Sequence, residues 1–154
     1  MSRLNLIALL ALSSVAAAAS SNQITWGSVI FTYHGEKTPS LANAGYNLSP
    51  IGATQLLQAG HTIRDRYVKP PANGSRITSA APINGLSGNA IENTQLTIMS
   101  TNDEFVTASA MAFMQGLYPP RNALIVEEET ILSNSTILEY PLDGYQYPNV
   151  SVWI

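Results

Sequence analysis

A ten-residue run, Ile24 to Tyr33 (ITWGSVIFTY), constrains the possible fold more than any other feature of the chain. It is rich in β-branched and aromatic side chains. Its centre, Val29 to Phe31, is continuously apolar, as in a parallel strand that is buried on both faces. His34 and Gly35 follow directly, and glycine permits a sharp backbone turn after the histidine. The run therefore predicts a buried parallel strand that ends at His34.

A helix is predicted next in the chain. Ser49 is a typical N-cap, Pro50 suits the first helical position, and apolar spacing continues the helix to about Val68. The basic residues of Arg64 to Arg66 near its end complement the helix dipole. Lys69 to Ala90 is rich in Pro, Gly, Asn and Ser, which predicts irregular structure.

A second strand and a second helix follow. Gln95 to Ser100 (QLTIMS) is a strand candidate, and Thr101 to Glu104 has the pattern of a capping box. The helix that this box would start extends to about Gln115. Gly116 and Pro119-Pro120 are expected to end it.

The alternation of strand and helix predicts an α/β fold, with a mostly parallel sheet and helices on its faces. A further short strand is possible near Leu124 to Val126. No helical pattern or internal repeat is found in the tail from Asn134 to Ile154. The length of 154 residues corresponds to about one domain.

The N-terminus has the pattern of a secretory signal. A basic start at Met1 to Arg3 precedes an apolar stretch, Leu4 to Ala19, which ends in small residues suited to cleavage. We therefore expect a signal peptide at 1–19 and a secreted mature chain at 20–154. The apolar stretch is too short for a membrane span, and a buried N-terminal helix is the alternative.

Four N-x-Ser/Thr sequons indicate an exported glycoprotein; they start at Asn47, Asn73, Asn134 and Asn149. The first is the weakest candidate, because Ser49 is expected to cap a helix.

Composition excludes several function classes. The chain has no cysteine and therefore no disulfide, thiol nucleophile or zinc finger. Two histidines argue against a metal site built by the protein, and a net charge of −3 argues against a nucleic-acid partner.

His34 is the main candidate for chemistry. Open α/β sheets bind ligands beyond the carboxyl ends of their strands, where His34 is expected to act as nucleophile, base or acid. Lys37 is positioned to attract an anion. A structural role is nevertheless the commoner one for a lone histidine at a strand end.

Three blocks resemble the histidine acid phosphatase branch of the histidine phosphatase superfamily, which includes secreted phytases. Tyr33 to Pro39 (YHGEKTP) is similar to the family's opening Arg-His-Gly-x-Arg-x-Pro. Leu48 to Gly52 (LSPIG) and Arg64 to Tyr67 (RDRY) resemble the two ends of its next helix. Ser109 to Phe113 (SAMAF) and Gly116 to Pro120 (GLYPP) resemble its third block.

The resemblance covers Ile24 to about Tyr147 and implies a phosphoglycerate-mutase-like fold, a three-layer α/β/α sheet, of which this chain would form the N-terminal part. It implies hydrolysis of phosphomonoesters through a phosphohistidine on His34. In the family, arginines and a second histidine bind the phosphate, and a late carboxylate protonates the leaving group. No metal or cofactor is implied.

The chain departs from this pattern at the phosphate-binding positions. Tyr33, Lys37 and Phe105 occupy the places of three arginines, which leaves Tyr33 and Lys37 as candidate phosphate-binding residues. His61 matches no catalytic position. No late His-Asp or His-Ala-Glu motif occurs, so we expect impaired activity and a truncated protein.

Three hypotheses stay open from the sequence. The chain is a phosphatase that needs further sequence, a non-catalytic relative that binds a phosphomonoester or another small anion, or a fragment that cannot complete its sheet.

Overall fold

The computed structural model describes residues 24–39, 45–70, 80–120 and 141–153. In chain order its elements are helix α1 (Pro50–Ile63), a π-helical turn (Arg64–Val68), strand β1 (Ile98–Thr101), helix α2 (Glu104–Leu117), a 3-10 turn (Pro141–Asp143) and strand β2 (Val150–Trp153). The predicted signal segment 1–19 and the strand candidate at 124–126 lie outside the described residues.

Helix α1 begins as its sequence predicts. Ser49 has extended backbone angles, and its hydroxyl accepts a hydrogen bond from the N–H of Gly52 at 3.0 Å. Pro50 occupies the first helical position, where no N–H is needed. The helix and its π-helical continuation together extend to Val68, which confirms the predicted range.

Helix α2 starts without the predicted capping box. Its N-cap is Asp103, whose side chain makes no capping hydrogen bond. Thr101 instead ends β1, paired with Trp153, and its hydroxyl donates to the carboxylate of Asp103 at 3.1 Å. The prediction was wrong because the strand register holds Thr101 outside the helix.

The two helices meet through glycines. A Cβ on Gly116 would collide with the carbonyl oxygen of Leu57 and lie 2.9 Å from the backbone nitrogen of His61. A Cβ on Gly60 would lie 2.8 Å from the nitrogen of Leu117. The prediction that Gly116 stops α2 was wrong, because the helix continues to Leu117 and ends just before the predicted stop at Pro119-Pro120. Gly116 lies in its last turn and permits close helix packing.

The core is centred on this helix pair. Its buried side chains share one face of each helix and the residue that follows α2; they are Leu56, Ala112, Phe113, Met114, Leu117 and Tyr118. Ile98 of β1 packs against them. The core therefore joins the helix pair to the sheet.

Strands β1 and β2 form a parallel two-stranded sheet, in register from Ile98 opposite Val150 to Thr101 opposite Trp153. The predicted strand at 95–100 is therefore displaced toward its C-terminal end. No strand was predicted in the tail, yet it supplies β2. Helix α2 packs on these parallel strands and α1 packs on α2, which confirms the α/β class and fits an incomplete phosphoglycerate-mutase-like fold.

The segment 24–33, which we call the strap, corrects the first prediction. Its one strand-like contact is an isolated parallel bridge between Thr25 and Ile83. Val29 is 83% exposed and Phe31 95% exposed, so the strap is not a buried strand. A parallel strand is buried only between neighbouring strands and covering helices, and the described sheet contains β1 and β2 alone.

Two polar side chains, those of Arg64 and Gln146, link separate parts of the chain through hydrogen bonds to the backbone. The guanidinium of Arg64 donates to the carbonyls of Leu117 and Gly88, both at 2.8 Å, and thus binds the end of α2 rather than its own helix. Burial lowers the pKa of Arg64. The side-chain amide of Gln146 accepts from the N–H of Ile91 at 2.7 Å and donates to the carbonyls of Asn89 and Pro119.

Candidate functional site

His34 follows the strap and is half-buried. Its Nδ1 lies 2.7 Å from the carbonyl oxygen of Gly35. Because a carbonyl oxygen only accepts, this contact places a hydrogen on Nδ1, and the lone pair of the neutral ring is on Nε2. His34 is therefore held in the tautomer that a nucleophile requires.

Gly35 is needed at this position for space. A Cβ there would lie 2.7 Å from the Cα of Gly52, so the loop crosses α1 with backbone against backbone. The positive-φ glycines of the described chain are Gly85 and Gly144, so Gly35 does not depend on a left-handed turn. The predicted requirement for glycine holds, but its cause is close approach rather than backbone rotation.

Ser109 of α2 positions the same loop, a role that sequence reasoning missed. Its hydroxyl accepts from the N–H of Gly35 at 3.1 Å and donates to the carbonyl of Phe105 at 2.7 Å. The side chain is buried, so both bonds are shielded from water. Its place in the SAMAF block was a signal of importance, but nothing in the sequence identified Gly35 as its partner.

The residues after Gly35 are tied to the start of α1. The N–H of Ser49 donates to the carbonyl of Glu36 at 2.9 Å, and Lys37 forms an antiparallel bridge with Leu48. The side chain of Gln55 accepts from the N–H of Glu36 at 3.2 Å. These contacts fix the backbone from which Lys37 projects.

The Lys37 ammonium lies among aromatic rings. Its Nζ is 3.9 Å from the ring centroid of Tyr46 and 4.5 Å from that of Phe105. Both distances are within the range of a cation–π attraction. Tyr46 is a further site residue that the sequence did not indicate, because its loop position carried no pattern.

Phe105 contacts the nucleophile candidate directly. Its ring stands edge-on to that of His34, with centroids 4.8 Å apart and an interplanar angle of 87°. Tyr33 stacks on His34 at 4.2 Å and is 81% exposed. The structure thus brings together His34, the predicted phosphate-binding residues Tyr33 and Lys37, and Phe105.

The remaining predicted positions lie elsewhere. His61 is exposed in the last turn of α1, as expected for a surface residue. Asn47 and Asn149 are exposed, and both the N–H and the carbonyl of Asn47 bond to Thr38. Asn73 and Asn134 lie outside the described residues.

Neither a metal centre nor a membrane span is found in the described ranges. No three His, Asp or Glu side chains there are grouped so that they could hold an ion. None of the described helices has the length and apolar character that crossing a bilayer requires.

The chain matches a known protein family over most of its length. Residues 21–146 match the family described as the histidine phosphatase superfamily (branch 2). The match covers most of the chain and includes the whole aromatic site, so the chain belongs to this superfamily. A search among curated proteins finds no match to the chain.

Proposed function

We propose that this chain is a histidine acid phosphatase-like protein that binds a phosphomonoester, or a similar small anion, beside His34 and Lys37, and hydrolyses it poorly. One observation carries the proposal. The ring of Phe105 contacts both His34 and the Lys37 ammonium, at the position where the resemblance places a phosphate-binding guanidinium.

The nucleophile side of the reaction is supported by the tautomer of His34. Nε2 carries the lone pair, so its attack on phosphorus would form a P–N bond while the ester P–O bond breaks. The leaving alkoxide would then take a proton, and water would cleave the phosphohistidine.

At the three positions where the resemblance places phosphate-binding arginines, this chain has no guanidinium to stabilise the transferring phosphoryl group. Loss of one such donor typically reduces the rate by ~10²–10³. Lys37 keeps a positive charge but not the planar fork of a guanidinium, and Tyr33 contributes a neutral hydroxyl. Phe105 offers neither charge nor donor, so we expect turnover at least ~10² below that of an arginine-restored variant.

A trapping experiment tests the chemistry. A radiolabelled phosphomonoester is mixed with the wild type and with the triple variant Tyr33→Arg, Lys37→Arg, Phe105→Arg. Each protein is also tested with His34→Ala added. We expect acid-labile label on the triple variant, little on the wild type and none on either protein that carries His34→Ala. His61→Ala is the matched control and should change nothing.

Two results would contradict the proposal. Wild-type hydrolysis as fast as that of the triple variant would show that the arginines are dispensable. The affinity for inorganic phosphate can be measured by calorimetric titration. Equal affinities of the wild type and Lys37→Met would show that Lys37 does not bind the anion.

A non-catalytic binding role is the second candidate. The aromatic faces around Lys37 favour it, because they make the surroundings of its ammonium more apolar than a cluster of arginines would. Phosphate binding by the wild type, together with no phosphoenzyme even in the triple variant, would select this role.

Secretion and glycosylation belong to the same proposal. They are supported by the signal pattern at 1–19 and by the exposure of Asn47 and Asn149. The intact mass of the secreted protein after glycan removal should correspond to a chain that begins at Ser20. A retained segment 1–19 would contradict export with cleavage, and Asn149→Gln should lower the mass before glycan removal.

A further inference from the structure

A cavity of about 320 Å³ lies along the strap, apart from His34. Trp26, Ile30 and Thr32 of the strap line it, together with residues 95–99. Buried α2 side chains, among them Phe113, also line it. Tyr33 and His34 are not among its lining residues.

Between positions 28 and 32 the strap faces this cavity with alternate residues. Ser28, Ile30 and Thr32 line it, whereas Val29 is 83% exposed and Phe31 95% exposed. This alternation is that of an extended chain, in which successive side chains point to opposite sides. One side of the strap is therefore a wall of the cavity.

The strap is fastened near its two ends. The carbonyl of Thr25 accepts from the N–H of Asn84 at 2.8 Å, and the N–H of Gly35 donates to Ser109. Between described residues, no backbone-to-backbone hydrogen bond involves positions 26–34. This part of the strap can therefore move to fit a bound molecule without breaking backbone hydrogen bonds.

The lining defines the chemistry of the occupant. Among the described residues, it contains aliphatic and aromatic side chains with a few neutral polar groups, such as Tyr67 and Gln95, and no charged side chain. Burial of an unpaired charge there would be costly, so a neutral molecule fits and an anion does not. The cavity, at about 320 Å³, has roughly twice the ~150 Å³ that accommodates benzene.

We propose that this cavity binds a neutral apolar molecule about the size of two fused aromatic rings with a substituent. The site is independent of the anion site at His34, because it has opposite polarity and different residues. Binding here would persist in His34→Ala, whatever the outcome of the phosphoenzyme experiment.

The test uses two fluorescent probes with one skeleton. N-phenylnaphthylamine is neutral, and anilinonaphthalene sulfonate adds one negative charge. We expect the neutral probe to bind the wild type with enhanced emission, and at least roughly tenfold more tightly than the sulfonate. Energy transfer from Trp26 should accompany binding and decrease in Trp26→Phe.

Two matched pairs of variants locate the probe. Ile30→Arg places a charge on the cavity side of the strap, and Val29→Arg places the same charge on its exposed side. Ala110→Phe fills the cavity from α2, whereas Ala108→Phe adds the same ring at an exposed position of that helix. The first member of each pair should lose at least roughly tenfold in affinity and the second should keep it, since only the first alters the lining.

The proposal fails if both members of each pair bind the probe equally, because the probe would then lie outside the cavity. It also fails if the sulfonate binds as tightly as the neutral probe. Sedimentation that shows a dimer broken by Ile30→Arg but not by Val29→Arg would identify a second copy of the chain as the occupant instead. The strap pair decides the question even if Ala110→Phe does not fold.

Discussion

Replacement of Gly116 by alanine tests the packing of the two helices. A methyl group there would collide with the carbonyl oxygen of Leu57 and lie 2.9 Å from the nitrogen of His61. Both are backbone atoms of α1. No side-chain rotation can therefore relieve the contact, and the helices must move apart.

Two opposing terms decide the sign of the effect. Alanine is favoured over glycine in a helix interior by about 1 kcal/mol. Against this, the added methyl group would force the helices apart. A gap of ~0.5–1 Å loses a quarter to a half of the van der Waals energy of each contact between them. Overpacking of this kind usually costs about 1–3 kcal/mol. Because the colliding atoms are backbone, we take the upper end and expect a net loss of about 2 kcal/mol in the free energy of unfolding.

Urea titration followed by far-UV circular dichroism measures this loss. With a slope of about 2 kcal/mol/M, the midpoint of Gly116→Ala should fall by roughly 1 M. Gly45→Ala is the control, because no atom of the described residues, apart from its chain neighbours, lies within 4 Å of its added Cβ. It should stay within about 0.5 kcal/mol of the wild type. An unchanged or higher midpoint for Gly116→Ala would refute the reasoning.

Three further substitutions test buried polar contacts. Tyr118→Phe removes a hydroxyl that donates to Ser87 at 2.8 Å, and should lower stability by about 1 kcal/mol in urea at neutral pH. Since burial raises the pKa of Tyr118 above its ordinary 10.0, wild-type stability should decline as pH rises past that value, and melting curves of the variant should lack this decline. Ser109→Ala leaves the N–H of Gly35 without its acceptor; urea titration should show a loss of about 1–3 kcal/mol, and that amide should exchange hydrogen faster. Arg64→Met removes two charge-assisted hydrogen bonds to carbonyls, and should cost about 2 kcal/mol in the same titration.

Each of these outcomes has a clear contrary. Equal alkaline melting of Tyr118→Phe and wild type would mean that the phenol does not titrate against folding. Unaltered exchange at Gly35 in the Ser109 variant would show that the loop has another anchor. If Arg64→Met were as stable as the wild type in urea, the hydrogen bonds of Arg64 would contribute nothing to the free energy of unfolding.

Local signals predicted the helices better than the strands. Ser49 and Pro50 determine where α1 starts through contacts within one turn, and such contacts are visible in sequence. The strap has the composition of a buried strand, but burial depends on neighbouring strands that no local pattern encodes. Strand β2 was missed for the converse reason, since its pairing with β1 is parallel and distant in sequence.

The candidate site was predictable only in part. The resemblance identified His34, Lys37 and the departure at Phe105, and the structure brings these side chains together. Tyr46 was not indicated, because its role depends on a contact with Lys37 through the fold. The pairing of Ser109 with Gly35 was equally hidden, since those residues come from different elements.

The parallel pairing of β1 with β2 has a consequence for the order of folding. The two strands are about 50 residues apart in sequence, so their pairing must overcome the entropy of closing a long loop. The helix pair and β1 are complete before β2 has been synthesised, and β1 then presents an unpaired edge on the nascent chain. We expect the helices to form the folding nucleus and the tail to dock last, so that edge is exposed to other chains during translation.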